Sequence, residues 1–184
     1  MTTWTDWIEQ LPESATLAIS SGAATRRLNG PDNKLKFKEN MTVQDEMRGR
    51  CLCGSISFTL GSAPHATRAC WCRDCQYLSS GNASLSLFFD SDALSVAGEP
   101  AAYIRKSDGG REIQTEFCST CGTPLFARDL GDRAFVAVRL GSLDDRETGE
   151  PSSTIWTKSA PSWARIDVTR PRSAGQPPMS QSDQ

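Results

Sequence analysis

The sequence predicts a mostly β fold of antiparallel strands, and three observations predict it. Between residues 47 and 168 apolar side chains recur with period two rather than 3.6. A hairpin signal separates two of these alternating runs, and no stretch of the region keeps a long helical period.

Ser55-Ile56-Ser57-Phe58-Thr59-Leu60 alternates polar with apolar, as a strand does when one face is wet and the other buried. Residues 84–89 and 101–106 are the next strand candidates. Ser107-Asp108-Gly109-Gly110 follows them, and Asp-Gly is a strong turn signal. Glu112-Ile113-Gln114-Thr115-Glu116-Phe117 alternates less strictly, and residues 134–140 close the series. The only helical expectation is a short turn near Cys75.

The flanks differ from this centre. Residues 1–46 hold Trp4, Trp7, Ile8 and Leu11 in a polar background, and read as a disordered or loosely docked extension, with Met41 as an alternative start. Residues 169–184, with Pro171, Gly175, Pro177 and Pro178, read as a disordered tail. The domain itself is placed at 47–168, a length sufficient for one hydrophobic core.

The chain has 184 residues and a formal net charge of -2, which offers no basic excess for nucleic acid or an anionic membrane. No apolar run is long enough to span a bilayer. Asp6, Glu9 and Glu13 precede any Lys or Arg, the wrong charge order for a signal peptide. A cytoplasmic location is therefore expected. In that reducing compartment seven cysteines point to metal rather than to disulfides.

The cysteines fall into three groups: Cys51-Leu52-Cys53-Gly54, Cys70-Trp71-Cys72-Arg73-Asp74-Cys75 and Cys118-Ser119-Thr120-Cys121-Gly122. Residues i and i+2 of a strand point the same way, so Cys-x-Cys aims two sulfurs together. Cys-x-x-Cys-Gly reads as a zinc knuckle whose glycine can take a positive φ. Two such pairs make a closed tetrahedral site, from Cys51, Cys53, Cys118 and Cys121. Cys70, Cys72 and Cys75 then remain as a second set of three, and a three-ligand zinc with an open position is the mark of a catalytic site. His65, the only histidine, stands as an alternative fourth ligand that would make the second site structural too.

Beyond spacing, the sequence resembles the glutathione-dependent formaldehyde-activating enzymes, a family that includes centromere protein V. The resemblance covers roughly Gly49 to Asp167. It is carried by Gly49-Arg50-Cys51-Leu52-Cys53-Gly54, by Cys70-Trp71-Cys72-Arg73-Asp74-Cys75 with Ser80-Gly81, by Phe117-Cys118-Ser119-Thr120-Cys121-Gly122-Thr123-Pro124, and by Gly141-Ser142-Leu143-Asp144-Asp145. It implies a β-tent of antiparallel sheets pinned by a structural zinc on Cys51, Cys53, Cys118 and Cys121, with a catalytic zinc on Cys70, Cys72 and Cys75. It also implies a zinc-dependent carbon–sulfur lyase-like enzyme acting on thiol–aldehyde adducts, with glutathione as the small-molecule partner and S-hydroxymethylglutathione as the adduct with formaldehyde. Members often carry His between the first two cysteines of the middle group, where this chain has Trp71. The competing expectation, from another class, is a zinc-stabilised binding module without chemistry.

Around the middle group, Asp74 and a zinc-bound water are the candidate general acids for the adduct oxygen, while Arg68, Arg73, Arg105 and Lys106 are the cations available to a carboxylate-bearing thiol. Gly141 to Asp145 is read as a turn, and Trp71, Trp156 and Trp163 as packed aromatics.

Overall fold

Residues 46–177 are described by the structure, a computed structural model. The expectations for residues 1–45 and 178–184 fall outside them. In chain order the elements are β1 (Met47–Arg50), β2 (Ser57–Leu60), β3 (Ala66–Cys70), α1 (Arg73–Leu78), β4 (Ser84–Asp90), β5 (Leu94–Ala97), β6 (Ala101–Lys106), β7 (Glu112–Phe117), β8 (Pro124–Asp129), β9 (Phe135–Arg139) and β10 (Ser153–Ile155). Strands β1, β2 and β5 form a three-stranded sheet, and the other seven form a sheet of order β10-β3-β4-β9-β8-β7-β6. All neighbours are antiparallel except β10, which runs parallel to β3. The mostly β expectation holds, with this one parallel pair added.

Period-two patterning explains how the sheets stack. Phe58 and Leu60 of β2 face Leu87 and Phe89 of β4, Phe126 of β8, and Val136 and Val138 of β9 in a single core. Phe58 and Phe126 meet edge to face at 5.0 Å. Each such side chain, fully withdrawn from water, contributes about 1.5–3 kcal/mol. The intervening residues of β3, β4 and β9 point to the opposite face of the large sheet, where the cavity described below lies.

Strand β1 approaches its neighbours too closely for any side chain at Gly49. A Cβ there would lie 2.3 Å from Phe58 Cζ and 2.4 Å from the Ser142 carbonyl oxygen. Gly49→Ala is therefore expected to destabilise by about 1–3 kcal/mol through overpacking. A thermal melt should show a midpoint several degrees lower.

The β6–β7 hairpin forms where Asp108-Gly109 predicts it. Its loop is five residues, 107–111, with the Ser107 N–H donating to the Arg111 carbonyl (2.8 Å) and Gly110 at φ +79°. Residues 140–145 form the expected turn: Leu143 is buried, the Asp144 N–H donates to the Arg48 carbonyl, and the Asp145 carboxylate accepts the Glu147 N–H.

Two expectations need correction. Residues 170–177, assigned by composition to a disordered tail, run beside β10. The Thr154 N–H donates to the Pro171 carbonyl (3.0 Å), and the Ser173 N–H donates to the Thr154 carbonyl (2.9 Å). An unpaired strand edge supplies backbone partners that proline-rich composition does not reveal. Trp156 and Trp163 do not seal the core either. Trp163 is 62% exposed and packs edge-on to Trp71, while Trp156 lines the cavity in a left-handed conformation (φ 59°).

Candidate functional site

The first cysteine set comes from two tight turns rather than from strands. In the β1–β2 turn the Gly54 N–H donates to the Cys51 carbonyl (3.0 Å), and Gly54 takes φ +78°. In the β7–β8 turn the Gly122 N–H donates to the Cys118 carbonyl (2.8 Å), and Gly122 takes φ +73°. Both glycines occupy the left-handed region that a Cβ disfavours. The turns meet because Cys51 and Cys118 are anchored in the core. The four sulfurs all lie within 4.8 Å of one another. Cys51 and Cys53 are 3.5 Å apart, and Cys53 and Cys118 are 3.7 Å apart. Four Zn–S bonds of ~2.3 Å imply a tetrahedral edge of about 3.8 Å, so the donor set fits one zinc-sized ion.

Two of the four thiols, Cys51 and Cys121, are acidified. Burial pushes Cys51 up, but the Ser55 hydroxyl and the Ile56 N–H, with neighbouring thiols, bring it down to about 7. The Thr123 hydroxyl and N–H bring Cys121 down to about 5. Thiolate is the ligating form, so these bonds prepare the sulfurs for metal.

The second set is built differently. Cys70 ends β3, Cys72 sits in extended backbone just before α1, and Cys75 lies in the helix's first turn. The turn from strand into helix folds three sulfurs to within 4.8 Å of one another. The Trp71 N–H donates to the Ile155 carbonyl of β10 (3.1 Å). The buried Gln76 amide donates to the carbonyls of Trp71 (2.8 Å) and Ser159 (2.9 Å), fixing α1 against the segment after β10. Trp71 is 3% exposed and is not among the cavity-lining residues, so its place between two ligand candidates is a packing one.

The three thiols act on one another. Cys70 and Cys75 together bring Cys72 down to about 2, helped by the charge of Arg105. Cys70 is driven up, first by Cys72 and Cys75 and then by burial. Three thiols this close share their protons, and thiolate forms most readily at Cys72. A cation binding all three must displace the remaining protons.

The two sets differ most in access. Cys70, Cys72 and Cys75 line a cavity of about 230 Å³, and none of the other four cysteines does. Its walls come from the solvent-side face of β3, β4 and β9, with Phe88 and Trp156 as apolar surfaces. Arg68 stacks over Phe88 at 5.1 Å. Arg105 reaches the cavity from β6 and is held by Asp74 at 2.5 Å.

Not every residue named from sequence lies here. Arg73 lies over Tyr77 (4.3 Å) and donates to Gln76, and Arg73 and Lys106 are both absent from the cavity lining. His65 lines the cavity but pairs with Asp90 (3.0 Å) and is not one of the clustered metal-ligand candidates. The reading of His65 as a fourth ligand thus loses its geometric basis. Arg139 is the residue that sequence reasoning missed. Alternation along β9 places it opposite Val136 and Val138, but its proximity to the cysteines depends on the β3–β4–β9 register.

Among the described residues no helix is long and apolar enough to cross a membrane. A search among curated proteins finds no match. A crystal structure of a Rhodobacter sphaeroides protein is similar at 20% identity and a TM-score of 0.45, covering 57% of this chain and 97% of that one. Residues 46–159 match the model of the glutathione-dependent formaldehyde-activating enzyme. That match takes in both cysteine sets and all ten strands, and the chain belongs to the glutathione-dependent formaldehyde-activating enzyme family.

Proposed function

We propose that the protein is a zinc-dependent, carbon–sulfur lyase-like enzyme that makes and breaks thiol–aldehyde adducts, with glutathione and formaldehyde as the pair its family supports. The observation that carries this reading is the unequal access of the two cysteine sets: the set of three opens on a cavity, and the set of four does not line it. Cys51, Cys53, Cys118 and Cys121 would hold a structural ion, tying the β1–β2 and β7–β8 turns across 65 residues of chain. Cys70, Cys72 and Cys75 would hold the second ion with one position left open. When bound there, zinc supplies a site at which a substrate thiol loses its proton.

The chain's own residues do the rest. The thiol approaches through the cavity, with Phe88 and Trp156 excluding water along its walls. Arg68 and Arg105 provide cationic surface for the carboxylates of a tripeptide thiol. Asp74 keeps Arg105 at the cavity wall, so its role is to position a cation rather than to deliver a proton. The net reaction joins RSH to formaldehyde: a C–S bond forms, the carbonyl π pair moves to oxygen, and the thiol proton returns to that oxygen by way of solvent.

Proton NMR of formaldehyde mixed with glutathione, with and without enzyme, tests the reading, alongside a panel of other thiols. Accelerated adduct formation with at least one thiol is expected. No acceleration with any of them would leave a binding module in its place.

A further inference from the structure

Arg139 carries the strongest unassigned feature of the cavity. It ends β9, opposite Ser86 of β4, and Ser84 of the same strand lies opposite Cys70. Its Nη1 donates to the Ser84 hydroxyl (2.6 Å) and to the Ser86 hydroxyl (2.9 Å), so both hydrogens of that nitrogen are spent. The guanidinium is thereby laid along β4, one strand away from Cys70.

The rest of the group is unspent. Nε is buried with no hydrogen-bond partner, and among the described residues Nη2 has no bond and the guanidinium no carboxylate. Other arginines at the cavity are committed: Arg105 to Asp74, Arg111 to Asp129 and Arg128 to Glu116. A guanidinium at the cavity wall, held rigid by two serines while its Nη2 stays uncommitted, is prearranged for an anion. The anion that arises beside the cysteine trio during the reaction is the oxygen of the aldehyde.

We infer that Arg139 is a catalytic residue of this site: its uncommitted Nη2 receives the oxyanion that forms when a thiolate adds to a small aldehyde. This rests on the proposed thiol–aldehyde reaction. As the C–S bond forms, the carbonyl π pair localises on oxygen. Arg139 donates hydrogen bonds to that oxygen and keeps its own protons, and water then protonates the alkoxide. In the cleavage direction the same donors hold the alkoxide until the C–S bond breaks. The serines position the group.

Arg139→Met in the full chain, loaded with zinc, tests this. Adduct formation is followed by NMR with glutathione and with 2-mercaptoethanol, which has no carboxylate, together with zinc content and melting temperature. The expected result is a kcat lower by about 100-fold or more with both thiols, as for loss of an oxyanion donor. KM and zinc content should be nearly unchanged. A rise in KM confined to glutathione would make Arg139 a carboxylate anchor and overturn the inference, as would an unaltered kcat. If Arg139→Met fails to fold, Ser86→Ala decides. It keeps the charge but loosens the guanidinium, and should lower kcat about tenfold with both thiols; an unchanged kcat would overturn the inference. A parent enzyme inactive with every thiol overturns the proposed function and this inference together. An active parent with unaffected variants overturns this inference alone.

Discussion

Cys118→Ser is expected to abolish cooperative folding. Cys118 is 1% exposed and joins the hydrophobic core to the four-cysteine set, so the substitution strikes at both. Closed zinc sites bind with about 10–16 kcal/mol in small peptides, as much as the whole stability of a typical domain. Circular dichroism should show the parent melting in one sharp transition and the variant melting broadly or already unfolded at room temperature. A variant that melts within a few degrees of the parent would show that the four sulfurs are bystanders.

Cys72→Ser should give the opposite result. Its sulfur lies on the cavity side of the large sheet, away from the core, and α1 remains tied by Gln76. The fold should survive with a small change in melting temperature, and one of two zinc equivalents should be lost. Activity should fall well beyond the 10–100-fold typical of losing a residue that merely supports a metal ligand. Retained activity would remove the trio from the chemistry.

These two predictions rest on a division of the cysteines that is legible in the sequence. Cys-x-x-Cys-Gly requires a tight turn with a left-handed glycine, and Gly122 takes that conformation. The strands at 84–89 and 134–140 are equally legible, because alternation reports which face is buried. β3 is not. Its buried side chains are Thr67 and Ala69, too small and polar to mark a strand by hydropathy. β10 is three residues long and gains its identity from parallel pairing with β3 and from the chain at 171–173. β7 breaks its own alternation at a bulge, where Glu116 is buried by pairing with Arg128.

The cavity's charge layout is the least legible part. Arg68 and Arg105 are near the middle cysteines in sequence or in an expected strand, and both reach the cavity. Arg73 is nearer still in sequence, yet helix geometry turns it onto Tyr77. Arg139 is 64 residues from Cys75 and arrives only through the strand order β3-β4-β9. No local pattern encodes that neighbour relation. The same holds for Trp156, whose place at the cavity depends on its left-handed backbone and on the chain at 173–176 pairing beside it.

The central claim is that the two cysteine sets do unequal work, and staged chelation tests it most directly. Zinc content, adduct-forming activity and circular dichroism are followed on one sample as a chelator is added. Two zinc equivalents per chain are expected. The first should leave with loss of activity while the β-sheet signal holds, and return with added zinc. The second should leave only as the fold collapses. Release of both ions together with unfolding, or full activity after the first has gone, would contradict the account.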